Sequence, residues 1–333
     1  MIGTSGVRAG DNNRDLYALV EEFFRTTFAT DNALITEAVR RMLAAGGKRL
    51  RPRLTLLAAE ANGADPEAQL PLAAYMELIH VGTLIHDDVV DRADTRRGVN
   101  STAVDYGNRV SVLAGDYLFA WIFKNVTASY PAPIPHILSS TLADITDGEV
   151  LQLRALGNLE LPLAGYIEVV LKKTASLFAA SAECGAIMAG ASTLRVKALR
   201  DFGLYFGVAF QMLDDLLDMT ASEAELGKPI GNDLRERKMT IPLILALEDA
   251  TPEFRTRLER HFGDPDGPGA GEAIRALVAD VGEAGGLRKT REAIAGYVER
   301  AKMSLAPLGS VPARAELAAL ADGLSRDSIA RTR

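Results

Sequence analysis

Apolar residues recur along most of the chain at the spacing of one helix face. Near the N-terminus these positions follow the i, i+3, i+4, i+7 pattern, with charged residues between them: Leu16, Leu19, Val20 and Phe23. Leu317, Leu320 and Leu324 repeat the spacing near the C-terminus. Such spacing is typical of amphipathic α-helices, whereas the alternation that marks strands is not evident. The pattern predicts an all-α protein of roughly a dozen helices, separated by clusters of glycine and proline.

Two acidic motifs interrupt these apolar helices, and both have the form Asp-Asp-x-x-Asp. The first consists of Asp87, Asp88 and Asp91, and the second of Asp214, Asp215 and Asp218. Residues four apart share a helix face, so the first and last carboxylates of each motif point the same way. One such motif alone would suggest a solvated acidic face. Two copies with apolar flanks would carry a desolvation cost unless a cation neutralised them.

All-oxygen ligands favour Mg²⁺ or Mn²⁺ over zinc. Because Mg²⁺ takes few protein carboxylates and completes its shell with water and phosphate oxygens, two facing motifs predict several Mg²⁺ ions that hold one polyphosphate. The length of 333 residues would suggest about two domains. Both motifs must serve one site, however, so we expect one all-α domain at residues 14–333, preceded by a disordered segment at 1–13.

Basic residues lie close to the acidic motifs and to glycines. The pair Gly46-Gly47 is followed by four cations: Lys48, Arg49, Arg51 and Arg53. Others lie after the first acidic motif, within a helical segment, and around the glycine-rich segment after the second motif: Arg96, Arg97, Lys172, Lys173, Lys228 and Lys238. Arginine and lysine both suit phosphate. Their placement beside the acidic motifs predicts a diphosphate site, which His80 would also face because it lies seven residues before Asp87.

Composition limits the partners and the setting. With 37 Lys and Arg against 44 Asp and Glu, the net charge of −7 argues against nucleic acid, which requires a basic face. Cys184 is the one cysteine, so an intrachain disulfide is excluded. Neither a signal peptide nor a membrane-spanning apolar segment is evident, and we therefore expect a cytoplasmic protein.

Seven segments, taken together and in order, resemble the successive motifs of the trans-polyprenyl diphosphate synthases: Gly46–Pro52, Glu77–Gly98, Gly115-Asp116, Gly148-Glu149-x-x-Gln152, Lys173-Thr174, Gly207–Asp218 and Gly227–Pro242. The resemblance implies an isoprenoid-synthase-type helical bundle around a central cavity, and a homodimer. It implies head-to-tail (1′-4) condensation of isopentenyl diphosphate onto an allylic diphosphate, such as farnesyl or geranylgeranyl diphosphate. It also implies three Mg²⁺ ions, with Mn²⁺ able to substitute.

The resemblance also implies roles for individual residues. The main Mg²⁺ ligands would be Asp87, Asp91 and Asp214, with Asp88, Asp215 and Asp218 as secondary or water-mediated ligands. The allylic diphosphate would be held by Arg96, Lys173, Thr174, Gln211, Lys228 and Lys238. Isopentenyl diphosphate would be held by Lys48, Arg51, His80 and Arg97. The catalytic set would then be Asp87, Asp91, Asp214, Lys173 and Arg96, while the final proton would leave with the released diphosphate.

Product length would depend on Gly82 and Thr83, the fifth and fourth residues before Asp87. On the resemblance both face down the cavity, where short-chain relatives often carry aromatic residues. Small residues there predict an open tunnel and a product of about C30 to C45, as for quinone side chains. Phe119, Trp121 and Phe123 are alternative candidates for the tunnel floor. Arg237, at a position that is often glycine in relatives, would either stiffen its loop or add a cation to the site, and the sequence leaves this choice open.

Several alternatives stay open at this stage. The chain could be a short-chain farnesyl or geranylgeranyl diphosphate synthase, or a partner subunit of a heteromeric synthase. Partner subunits often lose acidic or basic motifs, and this chain keeps them. A terpene cyclase is disfavoured by the paired aspartate motifs. A metal phosphohydrolase, suggested by His86-Asp87, would need more histidine ligands than the sequence offers.

Overall fold

The computed structural model describes residues 16–28, 30–96, 98–221 and 230–330. The segment predicted to be disordered, residues 1–13, and two predicted phosphate ligands, Arg97 and Lys228, lie outside these ranges. The described residues form sixteen α-helices. The first half contains α1 (Leu16–Thr27), α2 (Ala33–Ala44), α3 (Leu50–Glu60), α4 (Leu70–Val90), α5 (Thr102–Tyr106), α6 (Asn108–Ser129) and α7 (Pro133–Ala155).

The second half contains α8 (Leu163–Val170), α9 (Ser176–Met188), α10 (Thr193–Thr220), α11 (Asn232–Arg235), α12 (Ile241–Leu247), α13 (Pro252–Gly263), α14 (Ala270–Glu283), α15 (Gly286–Ser304) and α16 (Pro312–Ala330). The two described strands, β1 (Thr95–Arg96) and β2 (Val99–Asn100), pair antiparallel in a small hairpin. The all-α prediction is therefore confirmed. More helices occur than the dozen expected because short helices such as α5, α11 and α12 have too few turns to show a periodic pattern.

Helices α3, α4, α9 and α10 form the centre of the bundle. Helix α10 packs along α9 and α15, α9 also packs along α3, and α4 lies against α3 and α6. Close approach of α10 to α9 depends on Gly203, because a Cβ there would overlap the carbonyl oxygen of Phe178. Gly185 likewise lets α9 approach the carbonyl oxygen of Thr55 in α3. Glycine thus brings the helices that carry the predicted site to short separations.

A π-helical turn, Leu171–Ala175, joins α8 to α9. Such turns interrupt the regular helical ladder and are frequent at functional sites. This one carries Lys173 and Thr174, which the sequence placed in an ordinary helix. Helix α7 approaches the turn at Gly148, where a Cβ would overlap the backbone of Lys173. The local fold therefore sets Lys173 against α7.

Within the described ranges, no helix combines the length and the apolar character needed to cross a membrane.

Candidate active site

A cavity of about 830 Å³ opens between the two helices that carry the acidic motifs. This volume is within the range of small-molecule sites. Both motifs contribute to its lining, through Asp87 and Asp91 of the first and Asp214 and Asp215 of the second. Residues 127 positions apart in the chain therefore meet at one site, as the sequence predicted. The other predicted residues that line the cavity are Lys48, Arg51, His80, Thr83, Arg96, Lys173, Thr174, Gln211 and Lys238.

The first acidic motif occupies the last turn of α4. Asp91 caps the helix, and its N–H donates to the carbonyl oxygen of Asp87 at 2.8 Å. Asp88, between them, does not line the cavity and is fully buried. Its Oδ1 accepts two hydrogen bonds from the Arg96 guanidinium, at 2.6 and 2.7 Å. Asp88 and Arg96 therefore form an ion pair that ties the hairpin strand β1 to the end of α4.

The Asp87 carboxyl has an unusual proton affinity. Its pKa is raised to about 6, chiefly by burial and also by the carboxylates of Glu149 and Asp91, against the opposing effect of Lys173 and Arg96. Burial likewise raises the pKa of Asp88, against the opposing effect of Arg96. Carboxyl groups whose charged form is disfavoured would gain from a cation, because its charge offsets the desolvation. The first motif thus has the electrostatics of a cation site.

The second acidic motif lies in the last two turns of α10, and Asp218 is two residues before the helix ends at Thr220. Both oxygens of Asp215 accept hydrogen bonds from neutral donors, from Tyr166 Oη at 2.6 Å and from Gln211 Nε2 at 2.8 Å. Burial raises the Asp215 pKa to about 7, even though these two hydrogen bonds act to lower it. Asp214 points to the open part of the cavity and is exposed. Both carboxylates therefore line the cavity, but Asp214 is exposed there whereas the Asp215 oxygens already accept hydrogen bonds from protein donors.

Asp218, the last residue of the second motif, does not line the cavity. Its Oδ2 accepts a hydrogen bond from the Asp233 N–H at 3.0 Å, and its carbonyl oxygen accepts one from the Gly231 N–H at 2.8 Å. These bonds hold the start of α11, the segment that leads to Lys238. The structure therefore places Asp218, like Asp88, in contact with the supporting structure rather than with the cavity.

The donor set fits hard divalent cations, although it does not form a closed cage. Within the described ranges, no three His, Cys, Asp or Glu side chains converge on one point. Mg²⁺ does not need such a cage, because it binds through one or two carboxylates together with water and substrate phosphate oxygens. Asp87, Asp91 and Asp214 line one cavity with such oxygens. The raised pKa of Asp87 gives this residue a physical reason to accept metal charge.

Lys173 and Thr174 are held by neighbouring helices. The Lys173 ammonium donates to Gln152 Oε1 at 2.7 Å and forms an ion pair with Glu149, both on α7. Thr174 Oγ1 donates to Gln211 Oε1 at 2.8 Å, and Gln211 in turn donates to Asp215. A continuous chain of hydrogen bonds thus links the π turn to the second acidic motif.

Lys238 lies on the opposite side of the cavity, next to the first motif. Its ammonium lies 3.5 Å from Asp91 Oδ2 and 2.5 Å from Glu236 Oε2. Burial alone would lower the Lys238 pKa, but these carboxylates raise it above its ordinary value, so the side chain stays charged. Because Asp91 belongs to α4 and Lys238 follows α11, this ion pair joins the two acidic regions.

Arg237, whose consequence the sequence left open, adopts a left-handed backbone with φ of 58°. Glycine reaches this conformation without strain, whereas arginine needs its surroundings to hold it there. The Arg237 carbonyl oxygen accepts a hydrogen bond from the Gly157 N–H at 2.8 Å, and a Cβ at Gly157 would overlap the Arg237 guanidinium. Arg237 therefore fastens the loop before Lys238 to the end of α7.

The two predicted product-length residues differ in placement. Thr83 lines the cavity, and its Oγ1 donates to the His80 carbonyl oxygen at 2.8 Å. Gly82 is buried outside the lining, where the Phe119 ring occupies the space that a Cβ would take. Successive helical residues point about 100° apart, so these two cannot face the same wall. The structure thus separates Thr83 from Gly82, which is a contact residue for Phe119.

Trp121, another candidate for the tunnel floor, packs among aromatic rings and does not line the cavity. The Trp121 ring contacts the rings of Phe28 and Tyr75, with centroid distances of 5.2 and 5.8 Å. Phe210, which the sequence did not single out, lines the cavity and packs on Phe178 at 5.3 Å between centroids. Phe210 lies four residues before Asp214, just as Thr83 lies four residues before Asp87. This equivalent spacing is the sequence signal that could have identified Phe210 as a cavity residue.

Sequence reasoning also missed Tyr166, Glu77 and Arg49. Tyr166 lies seven residues before Lys173, a spacing that places it on the same helical side, and Glu77 lies three residues before His80. Arg49 was grouped with its neighbouring cations, although its guanidinium forms buried ion pairs with carboxylates. Tertiary partners, which are remote in sequence, decide these three roles.

Comparisons with known proteins agree on one family. Residues 32–281 match the family model described as polyprenyl synthetase. The chain is 36% identical over 296 residues to an octaprenyl diphosphate synthase of Escherichia coli K12, covering 88% of this chain and 90% of the relative. It is 38% identical over 293 residues to a short chain isoprenyl diphosphate synthase of Methanothermobacter thermautotrophicus, covering 86% and 89%.

A solved structure is similar over nearly the whole chain. It is a polyprenyl synthase from Caulobacter crescentus CB15, complexed with calcium and isoprenyl diphosphate. The two proteins are 39% identical, with a TM-score of 0.88, and the match covers 93% of this chain and 94% of the other.

Proposed function

This chain belongs to the polyprenyl synthetase family, and we propose that it is a Mg²⁺-dependent trans-prenyltransferase that condenses isopentenyl diphosphate head-to-tail (1′-4) onto an allylic diphosphate. The observation that carries the proposal is the convergence of both acidic motifs and the surrounding cations on one cavity of about 830 Å³. Because residues of both halves line it, treating residues 14–333 as one domain is part of the proposal.

The binding roles follow from where each side chain lies. We assign Asp87, Asp91 and Asp214 as the main metal ligands and Asp215 as a secondary one, since all four line the cavity. Asp88 and Asp218 were predicted as secondary or water-mediated ligands. Their contacts with Arg96 and with the backbone of α11 support a positioning role instead.

The allylic diphosphate is proposed to lie among a set of donors that line the cavity: Arg96, Lys173, Thr174, Gln211 and Lys238. When bound, Mg²⁺ would stabilise the negative charge of the departing diphosphate as the allylic carbon ionises. Lys173 and Lys238 add fixed positive charge toward the same leaving group. Lys173 is held in place by Gln152 and Glu149, so it needs little reorganisation during the reaction.

Isopentenyl diphosphate is proposed to bind against Lys48, Arg51 and His80, which line the cavity near the start of α3. The final proton is assigned to the released diphosphate rather than to a side chain. The apolar wall protects the allylic cation from water, with Phe178, Phe210, Leu84 and Val170 among its residues. Arg97 and Lys228 lie outside the described residues, so their roles as diphosphate ligands stay predictions from the sequence.

We propose a long-chain product of about C30 to C45, because apolar space below the allylic site sets how much hydrocarbon can be held. Thr83, a small residue, lines the cavity wall one turn before Asp87. The octaprenyl and short-chain relatives are similarly close to this chain in sequence, so the short-chain alternative is a real competitor. A homodimer, service to quinone side chains, and a cytoplasmic location complete the proposal.

The test is a product-length assay on the purified protein. With Mg²⁺, farnesyl diphosphate and labelled isopentenyl diphosphate, we expect polyprenyl diphosphates of about C30 or longer. Products limited to C20 or shorter would support the short-chain alternative. Turnover that appears only after a second protein is added would support a partner-subunit role, and omission of the metal serves as the negative control.

A further inference from the structure

Arg49 differs from the cations that surround it in sequence. Lys48 and Arg51 line the cavity, and the Arg53 side chain is half exposed beside Glu316. Arg49 also borders the cavity, but its guanidinium is buried, with 2% of its side chain exposed. One segment of four cations thus contains residues in three different environments.

The Arg49 guanidinium is bonded to three separate helices. It donates to Glu21 Oε1 of α1 at 2.6 Å, to Glu77 Oε1 of α4 at 3.1 Å, and to the Leu43 carbonyl oxygen of α2 at 2.8 Å. Its Cζ also lies 5.1 Å from the centre of the Phe24 ring. Two carboxylates and a carbonyl oxygen therefore already accept hydrogen bonds from the Arg49 guanidinium, which holds it against protein groups rather than a phosphate ligand.

The Arg49 backbone is as unusual as its side chain. Its φ of 46° and ψ of 41° place it in the left-handed region directly before α3 begins. A residue other than glycine holds this conformation only when its surroundings fix it. The left-handed residue turns the chain between Lys48 and Arg51, so its side-chain bonds also determine how those two neighbours are presented.

Glu77 connects this turn to the other side of the same subsite. It lies on α4, three residues before His80, and its side chain is 3% exposed at the cavity wall. Its Oε1 accepts from Arg49, while its Oε2 is buried with no hydrogen-bond partner among the described residues. The Arg49–Glu77 ion pair therefore joins the turn carrying Lys48 and Arg51 to the helix face carrying His80.

We propose that Arg49, through its ion pair with Glu77, is a positioning residue for the isopentenyl diphosphate subsite and does not act on the allylic diphosphate. This inference rests on the proposed function, because it takes Lys48, Arg51 and His80 as the groups that bind isopentenyl diphosphate. It predicts that breaking the ion pair weakens the binding of isopentenyl diphosphate much more than the binding of the allylic diphosphate. A solely structural ion pair would lower stability without separating the two substrates.

The experiment compares Arg49→Met and Glu77→Gln with the matched control Arg53→Met, an exposed arginine of the same segment. Initial rates are measured with farnesyl diphosphate, isopentenyl diphosphate and Mg²⁺, and calorimetry measures binding of isopentenyl diphosphate alone. We expect Arg49→Met to raise KM and Kd for isopentenyl diphosphate about tenfold or more, while KM for farnesyl diphosphate changes less than about twofold. Arg53→Met should resemble the unmodified protein.

Glu77→Gln covers the case in which Arg49→Met does not fold, because the amide keeps the shape and one acceptor oxygen. We expect it to raise KM for isopentenyl diphosphate at least about threefold, while KM for farnesyl diphosphate again changes less than about twofold. If a folded variant raises KM for both diphosphates equally, or changes neither, the inference about Arg49 is overturned while the proposed function stands. An unmodified protein that does not bind isopentenyl diphosphate overturns the proposed function and this inference together.

Discussion

The two acidic motifs have the same spacing but different surroundings. The first ends a helix, and its buried middle residue, Asp88, is neutralised by a cation, Arg96. The second lies within a helix, and its buried middle residue, Asp215, is held by the neutral side chains of Tyr166 and Gln211. One sequence pattern is thus compatible with two ways of burying a carboxylate, by ion pairing or by neutral hydrogen bonds.

The last residues of the two motifs also differ. Asp91 lines the cavity and forms an ion pair with Lys238. Asp218 is buried, and its carboxylate accepts a hydrogen bond from the backbone of α11. Because α11 leads to Lys238, Asp218 helps to place the cation that Asp91 contacts. The first motif therefore presents its first and last carboxylates to the cavity, Asp87 and Asp91. The second presents its first two, Asp214 and Asp215.

The largest expected effect comes from removing a cavity-facing carboxylate. We expect Asp87→Ala to lower kcat/KM at least about a hundredfold, because a charge-stabilising group directed at the leaving diphosphate is lost. Steady-state rates over a Mg²⁺ titration measure it. The control is Glu259→Ala, an exposed acid on α13. Near-normal kcat for Asp87→Ala would show that the first motif does not hold the metal.

The second prediction uses the shared register of the two helices. The position four residues before the first motif is Thr83, and before the second it is Phe210; both line the cavity. We expect Thr83→Phe to shorten the product by several isoprene units, because a second aromatic ring would fill space on the opposite wall. Chromatography of the labelled products measures the shift.

Thr83→Ser is the matched control, since it keeps the hydroxyl that donates to the His80 carbonyl oxygen, and its product length should be unchanged. A product distribution that is identical for Thr83→Phe and the unmodified protein would mean that this wall does not limit the chain.

The third prediction compares how much the ionic support of Asp88 and the neutral support of Asp215 contribute to the free energy of unfolding. Arg96→Met leaves the Asp88 charge buried without its cation, so we expect the free energy of unfolding to fall by about 3 kcal/mol. Tyr166→Phe removes one neutral donor from the Asp215 carboxyl and should cost about 1–2 kcal/mol. Urea unfolding of the metal-free protein near neutral pH measures both.

Arg53→Met is again the control, because exposed ion pairs contribute little, and its change should stay below about 0.5 kcal/mol. Equal losses for Arg96→Met and Tyr166→Phe would contradict the distinction between ionic and neutral support.

The sequence was sufficient for much of the fold and site. Helical periodicity predicted the all-α class, and the repeated aspartate spacing predicted that two distant segments share one cavity. Both inferences rest on local rules, since helix faces and i, i+4 neighbours are fixed by helix geometry. Short helices such as α11, and the π turn that carries Lys173 and Thr174, could not be predicted because they depend on packing more than on periodicity.

Residue types alone also determined which groups can bind phosphate and metal. They did not determine which of those groups face the cavity. Asp88 is buried against Arg96, Asp218 supports α11, Gly82 contacts Phe119, and Arg49 pairs with Glu77 across the start of α3. Each of these contacts joins residues on different helices or loops. Their orientation was settled when the helices packed, because the desolvation of a buried charge is offset only by partners that the tertiary structure brings within reach.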